Sequence, residues 1–153
     1  RLPRIWPVAY VVFNRSMQEQ AARDFQNTFA NVKTWDSFAC QYVRRHFNGG
    51  AAFEIVDDVS STLDGTLVTI WHAVVQFCQS ADRELTSAHV KQAEVDVTLL
   101  TMEKAVQVAR GMFRVASDLN DARLSIDHAV VFKKCQLDML STGRRFTEPS
   151  ARL

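Results

Sequence analysis

Glycine and proline are scarce in this chain, and their absence over long stretches limits the folds it can adopt. Only five glycines and three prolines occur among its 153 residues. Between Gly65 and Gly143 the only such residue is Gly111. Because a sheet protein needs turn-forming residues at short intervals, these uninterrupted stretches favour helices. The sharpest predicted break is Asn48-Gly49-Gly50.

Cysteine is also rare, and long apolar runs are missing. Cys40, Cys78 and Cys135 lie far apart, without a Cys-x-x-Cys pair. This set excludes a disulfide framework and a cysteine-pair metal site, and it predicts reduced, half-buried thiols in an intracellular compartment. No run approaches the ~20 apolar residues that cross a bilayer, so no membrane-spanning helix is expected.

The chain also lacks an excess of charge of either sign. The 18 basic and 17 acidic residues leave a formal net charge of +1. Proteins that bind nucleic acid or membrane surfaces in general usually carry a clear basic excess, so the composition disfavours both classes. Hydrophobic residues make up 47% and charged residues 23%, which excludes a disordered chain. The length is that of one ordinary domain.

The first residue is Arg1 rather than methionine. This start fits either an excised fragment or a mature form whose leader was removed. We therefore expect an intracellular protein of the cytoplasm or an organelle matrix, with the mitochondrial matrix as one possibility.

Apolar residues at steps of three and four predict a first helix over Met17–Phe47. Its apolar face would carry Met17, Ala21, Phe25, Phe29, Val32, Trp35, Phe38 and Tyr42. Ser16 and Glu19 have capping-box spacing at its start. The β-branched run Val8–Phe13 is expected to be an extended arm, although a helix that starts at Pro7 is the alternative.

The same periodicity resumes after the glycine pair, from Phe53 to Ala81. Gly65 lies inside this run and allows two interpretations. One is a single helix that tolerates this glycine at a cost of about 1 kcal/mol relative to alanine. The other is a turn at Ser60–Gly65 that divides two helices. The continuing phase favours the single helix.

The clearest periodicity covers Leu99–Leu119, where two neighbouring apolar seams run along one side of a helix. The seams consist of Leu99, Met102, Val106, Ala109, Phe113 and Ala116, and of Ala105, Val108, Met112, Val115 and Leu119. Together they cover roughly 160° of the helix surface. This width predicts a helix packed against two neighbours rather than a two-stranded coiled coil. The phase fails at Asn120, which predicts a turn near Ser117–Asp121.

A fourth helix is predicted after this turn. Its apolar face would carry Ile126, Val130, Leu137 and Leu140. Gly143 has the position of a C-terminal cap.

The sequence thus predicts an all-α fold, an antiparallel bundle of about four long helices in a single helical domain over residues 1–153. Residues 1–14 would form the arm or extended segment, 15–142 the bundle and 143–153 a short tail.

Residue patterns that support catalysis or metal binding are missing. No Glu-x-x-His pair marks a dimetal site, and Asp57 and Asp58 lack the spacing of a calcium loop. The glycine pair lacks the Lys-Ser/Thr of a phosphate loop. We therefore expect no catalytic residue, no metal site and no cofactor, in a chain that is not an enzyme.

His72 is the single candidate for contact with a cofactor. It lies within the apolar run Ile70–Val74. We interpret it first as a histidine at the edge of the core that hydrogen-bonds a neighbour. The alternative makes it a haem ligand or a buried proton carrier.

The leading functional hypothesis is a non-catalytic structural or interaction subunit of a larger protein assembly. Exposed aromatic and arginine side chains are frequent binding anchors. We therefore expect partner proteins to contact helix faces, Ile5, Trp6 and Tyr10 in the arm, and Arg144 and Arg145 in the tail.

Two alternatives belong to other functional classes. The first is a helical bundle that binds a small ligand or cofactor between its helices, with His72 or Trp71 lining the pocket. The second is a nucleic-acid-binding accessory protein that uses the basic C-terminal tail.

Overall fold

The computed structural model is mainly helical, with short strands that join distant segments of the chain. It describes residues 8–12, 14–26, 30–47, 55–56, 59–63, 65–98, 100–118 and 126–143. Within them the elements are β1 (Val8–Val12), α1 (Arg15–Asp24), β2 (Ala30–Thr34), α2 (Trp35–His46), β3 (Ile55–Val56), α3 (Thr66–Gln79), α4 (Ser87–Gln92), α5 (Met102–Ala116), β4 (Ile126–Asp127) and α6 (His128–Thr142). The mainly helical class is confirmed. The antiparallel bundle of about four long helices is not confirmed, because the described residues form six shorter helices.

The predicted first helix over Met17–Phe47 is wrong, since α1, β2 and α2 occupy this part of the chain. Strands β1 and β2 pair in parallel, from Val8 opposite Ala30 to Val12 opposite Thr34. β-Branched valine and threonine fit a pleated strand better than a helix. The extended alternative for the arm is therefore confirmed for β1.

The predicted capping box at Ser16 is replaced by another cap. Helix α1 begins after Asn14, whose side-chain oxygen accepts a hydrogen bond from the backbone N–H of Met17 at 2.9 Å. An asparagine in this position satisfies one of the free donors at the helix start.

The single helix through Gly65 is wrong, and the alternative of a turn is confirmed, although the described residues before it form β3 and a 3-10 helix rather than a second long helix. The φ of 52° and ψ of −133° of Gly65 lie in a region that side chains disfavour, and α3 begins directly after it. A 3-10 helix at Ser60–Thr62 precedes it. Farther upstream, β3 pairs in parallel with β4, so this segment is anchored beside the start of α6.

The broad stripe over Leu99–Leu119 corresponds to α5, which packs against α3 and α4. Two neighbouring helices are thus confirmed, although the short helix α4 was not predicted from the sequence. Ala105 and Ala109 are fully buried in this contact, whereas Val115 is 59% exposed. The helix ends before Ser117, as the loss of phase predicted.

Helix α6 forms the centre of the core together with α2 and α3. Val43 of α2, Val74 of α3 and Val130 and Cys135 of α6 are at most 1% exposed. Gly143 ends α6 in the left-handed conformation with φ of 62°, and its N–H donates to the carbonyl of Met139. The predicted C-terminal cap is therefore confirmed.

Candidate functional site

A groove of about 870 Å³ lies between α3 and α6, with the start of α2 at its rim. We refer to it as the aromatic groove. Its lining consists of Trp35, Trp71, His72, Val75, Cys78, Gln79, Ser80, Asp127, His128, Ala129, Phe132 and Gln136. Its volume lies within the range of ~300–1,000 Å³ typical of small-molecule sites.

Two stacked aromatic rings form one wall of the groove. The indole of Trp35 lies 6.5 Å from the phenyl ring of Phe132, measured between centroids, with 27° between their planes. Trp35 also stacks on Phe38, with ring centroids 5.4 Å apart. Trp35 is the first residue of α2, a helix start that Thr34 caps by accepting a hydrogen bond from Ser37. The cap and the two stacking contacts hold a 42% exposed tryptophan at the rim.

Trp71 lines the groove from α3 and contains an unusual polar atom. Its side chain is 3% exposed, and its indole Nε1 has no hydrogen-bond partner in the part of the chain that the structure describes. A buried tryptophan normally donates this N–H to an acceptor. A buried donor without a partner loses its hydration without compensation, so it calls for an explanation.

A histidine and a carboxylate meet at the side of the groove. Nδ1 of His128 donates a hydrogen bond to Oδ1 of Asp36 over 2.7 Å, which fixes the plane of the imidazole. Next to it, Asp127 caps α6 by accepting a hydrogen bond from the N–H of Ala129 at 2.8 Å. Both carboxylates therefore have structural partners.

The thiol and the hydroxyl in the groove are poor nucleophiles. Burial raises the pKa of Cys78 to about 12, and the nearby Asp127 carboxylate raises it further, although Lys133 opposes the shift. A thiol with such a pKa stays protonated near neutral pH. The hydroxyl of Ser80 donates to the carbonyl of Phe77 at 2.8 Å, in the last turn of α3. The arrangement favours binding over covalent catalysis.

Ser80, His89 and Asp82 bring together the residue types of a hydrolytic triad without its geometry. Nδ1 of His89 accepts a hydrogen bond from the backbone N–H of Thr86 at 3.0 Å, as part of the cap of α4. Ser80 and Asp82 both face the other nitrogen, Nε2, at 3.3 and 3.1 Å. A catalytic histidine needs its two partners on opposite nitrogens. This cluster therefore stabilises the connection from α3 to α4.

The structure places only part of the predicted site. His72 is exposed and lines the groove beside Trp71, and its contact with a ligand remains a prediction. Tyr10 is 45% exposed on β1, and its ring contacts Phe25 at 4.9 Å. The other four candidates, Ile5, Trp6, Arg144 and Arg145, lie outside the described residues.

Sequence reasoning missed several residues that build the groove, among them Trp35, Asp36 and His128. Asp36 and His128 belong to α2 and α6, so only tertiary packing brings them together. The adjacent pairs Trp35-Asp36 and Asp127-His128, each at a helix start, are the only local signal that could have pointed to them.

No helix formed by the described residues is long and apolar enough to span a membrane. Among the same residues, no group of three or more histidine, cysteine, aspartate or glutamate side chains is placed to hold a metal ion.

No protein-family model, curated protein or solved structure matches this chain.

Proposed function

We propose that this protein binds a small organic molecule in the aromatic groove. The observation that carries the proposal is a concave site with aromatic walls and a buried indole N–H that lacks a partner. Small-molecule sites typically combine apolar and aromatic walls with a few polar groups that set the orientation of the ligand. His72, His128 and Trp71 are such groups in this groove.

The lining residues support binding rather than turnover. The thiol of Cys78 is held in its protonated form by burial, and the hydroxyl of Ser80 is engaged by the end of α3. The Asp36 carboxylate orients His128 as it would a histidine that contacts a ligand. The proposal therefore assigns the groove to a binding protein that recognises, carries or responds to its ligand.

The test compares a variant that fills the groove with a matched variant elsewhere. Ala129 lines the groove on α6, whereas Ala22 is exposed on α1. Wild type, Ala129→Phe and Ala22→Phe are screened against a library of small ring compounds by ligand-observed NMR and thermal shift. We expect hits for wild type and Ala22→Phe that disappear for Ala129→Phe, because the added phenyl ring occupies the ligand volume.

Either of two results would contradict the proposal. The first is a set of hits that bind Ala129→Phe as well as wild type, since these ligands would occupy another surface. The second is the absence of hits for a wild-type protein that unfolds cooperatively. Circular dichroism of both variants checks that the substitutions leave the fold intact.

A second candidate function is the interaction subunit. The observation that favours it is exposed apolar area near the start of the described chain: Tyr10 is 45% exposed, Met17 51% and Trp35 42%. Large exposed apolar side chains are frequent anchors for partner proteins. Partner binding through Tyr10 would use the outer face of β1 rather than a projecting arm.

Affinity capture from the native source tests this second candidate. The variant Tyr10→Thr keeps a residue suited to a strand but removes the exposed ring. We expect it to recover less of any partner than wild type does, with unchanged helicity. Deletion of residues 1–10 is less suitable, because it also removes part of β1. Equal recovery by Tyr10→Thr and wild type would exclude Tyr10 as an anchor.

A further inference from the structure

We propose that the aromatic groove selects an uncharged planar ring compound with a hydrogen-bond acceptor, and that the indole N–H of Trp71 binds this acceptor. The inference rests on the ligand-binding function proposed above and specifies its chemistry. Three observations support it, one for each property of the ligand.

The unpartnered indole N–H of Trp71 indicates that the ligand contains a hydrogen-bond acceptor. The indole nitrogen of tryptophan can donate a hydrogen bond but cannot accept one. Trp71 lines the groove and is only 3% exposed. Its indole N–H has no acceptor within reach among the described residues. A carbonyl or a ring nitrogen of a ligand in the groove would supply the missing partner. Satisfying an existing buried donor favours the bound state over the free state.

The planar ring follows from the wall formed by Trp35 and Phe132. Their planes differ by only 27°, so the two rings have similar orientations where they line the groove. A planar ring gains most from such a wall, because aromatic rings prefer offset stacking or edge-to-face contact. Trp35 also stacks on Phe38, a contact that favours its orientation before the ligand arrives.

The absence of ligand charge follows from the groups around the groove. No lysine or arginine is among the described residues that line it, whereas Asp127 lies in the lining and Asp36 behind His128. Lys133 hydrogen-bonds Ser80 of the lining, but it is fully buried and its Nζ is already engaged by two carbonyl oxygens and Gln136. An anionic ligand would therefore meet carboxylates without an available positive partner. The two carboxylates are also engaged, by the start of α6 and by His128, which reduces their attraction for a cation. An uncharged ligand avoids both costs.

The experiment uses four ring compounds of similar size. 2-Quinolinone is uncharged and has a carbonyl acceptor, naphthalene has no acceptor, 2-naphthoate is an anion, and N-methylquinolinium is a cation. Titrations followed by tryptophan fluorescence and ligand-observed NMR yield each Kd. We expect 2-quinolinone to bind about tenfold more tightly than naphthalene, the usual value of one hydrogen bond, and more tightly than both ions.

The variant Trp71→Phe removes the N–H but keeps an aromatic ring. We expect the preference for 2-quinolinone over naphthalene to fall to about twofold or less in this variant, because only 2-quinolinone loses a hydrogen bond. A second measurement needs no variant: the indole N–H resonance of Trp71 in wild type should shift downfield with 2-quinolinone and change little with naphthalene.

The results distinguish an error in the proposed ligand chemistry from an error in the ligand-binding function. If 2-naphthoate or N-methylquinolinium binds most tightly, or if naphthalene equals 2-quinolinone and the indole resonance does not respond, the ligand chemistry is wrong while the groove still binds ligands. If the library screen yields groove ligands but 2-quinolinone does not bind, the result is the same. If neither the screen nor the four compounds detect binding, the ligand-binding function itself is wrong.

Discussion

Lys133 is a basic residue in the core, and its side chain has no exposed surface. Its Nζ donates hydrogen bonds to the carbonyl oxygens of Ser80, at 3.1 Å, and Asp82, and to Oε1 of Gln136. It also lies 4.1 Å from the centre of the Phe77 ring. Carbonyl groups at a helix end carry partial negative charge, so a cation there compensates the end of α3. Burial lowers the pKa of Lys133.

The first prediction concerns this lysine. Lys133→Met should lower the free energy of unfolding by about 2–4 kcal/mol, because the carbonyl groups of Ser80 and Asp82 lose a charged donor in a part-buried site. Lys104→Met is the matched control, since Lys104 is exposed on α5; it should change stability by less than ~0.5 kcal/mol. Urea denaturation followed by circular dichroism measures both. Equal effects of the two substitutions would show that the Lys133 contacts contribute nothing.

At the scale of elements, each helix has a local signal at one or both ends. Asn14, Thr34, Thr101 and Asp127 accept hydrogen bonds from backbone N–H groups at the starts of α1, α2, α5 and α6. Gly143 closes the end of α6. These caps are short-range features, but of them only Gly143 was predicted from the sequence, and the predicted capping box at Ser16 was replaced by Asn14.

The second prediction compares two glycines. Gly143→Ala should destabilise the protein by about 1 kcal/mol, because alanine strains the left-handed conformation that ends α6. Gly111→Ala should instead stabilise it by about 0.5–1 kcal/mol, because Gly111 lies within α5 and an added Cβ meets no atom within 4 Å. Thermal and urea denaturation measure the change in stability for both variants. Destabilisation by Gly111→Ala would contradict the described environment of α5.

At the scale of the whole molecule, three buried thiols link stability to alkaline pH. Burial is the main cause that raises the pKa of Cys40 to about 11 and those of Cys78 and Cys135 to about 12. All three cysteines are free and buried. In the unfolded chain each thiol titrates near 9.0, so above that pH the unfolded state loses protons that the folded state keeps.

The third prediction follows from this difference. The thiols contribute their full stability below pH 9 and lose it as the pH rises towards 11–12. At pH 10 the ionisation of each thiol in the unfolded chain should lower the free energy of unfolding by about 1.4 kcal/mol relative to neutral pH. Lys133 and Lys134 act in the opposite direction, because burial lowers their pKa values and the folded state releases protons first. The thiol effect must therefore be isolated by substitution.

The measurement compares wild type with Cys78→Ala/Cys135→Ala in urea denaturation between pH 7 and pH 10. The variant loses packing at every pH, but its stability should fall less on alkaline titration, by about 3 kcal/mol at pH 10 for two thiols. Parallel curves for the two proteins would show that the thiols ionise equally in the folded and unfolded states.

The sequence by itself determined the mainly helical class, the course of α5 and the cap of α6 at Gly143. These features depend on residues within a few turns of each other, where apolar spacing, capping oxygens and glycine act locally. Even the turn before α3 was recognised as an alternative through Gly65.

Only the tertiary structure decided where strands replace helix and where a groove forms. Val32 fits an apolar helical spacing in the sequence, but β2 gains its hydrogen bonds from β1, a separate segment. In the same way His72 has a groove to line only because α6 brings His128 and Phe132 opposite α3, and α2 adds Trp35 and Asp36. Strand pairing and cavities arise between distant segments, so local periodicity does not predict them.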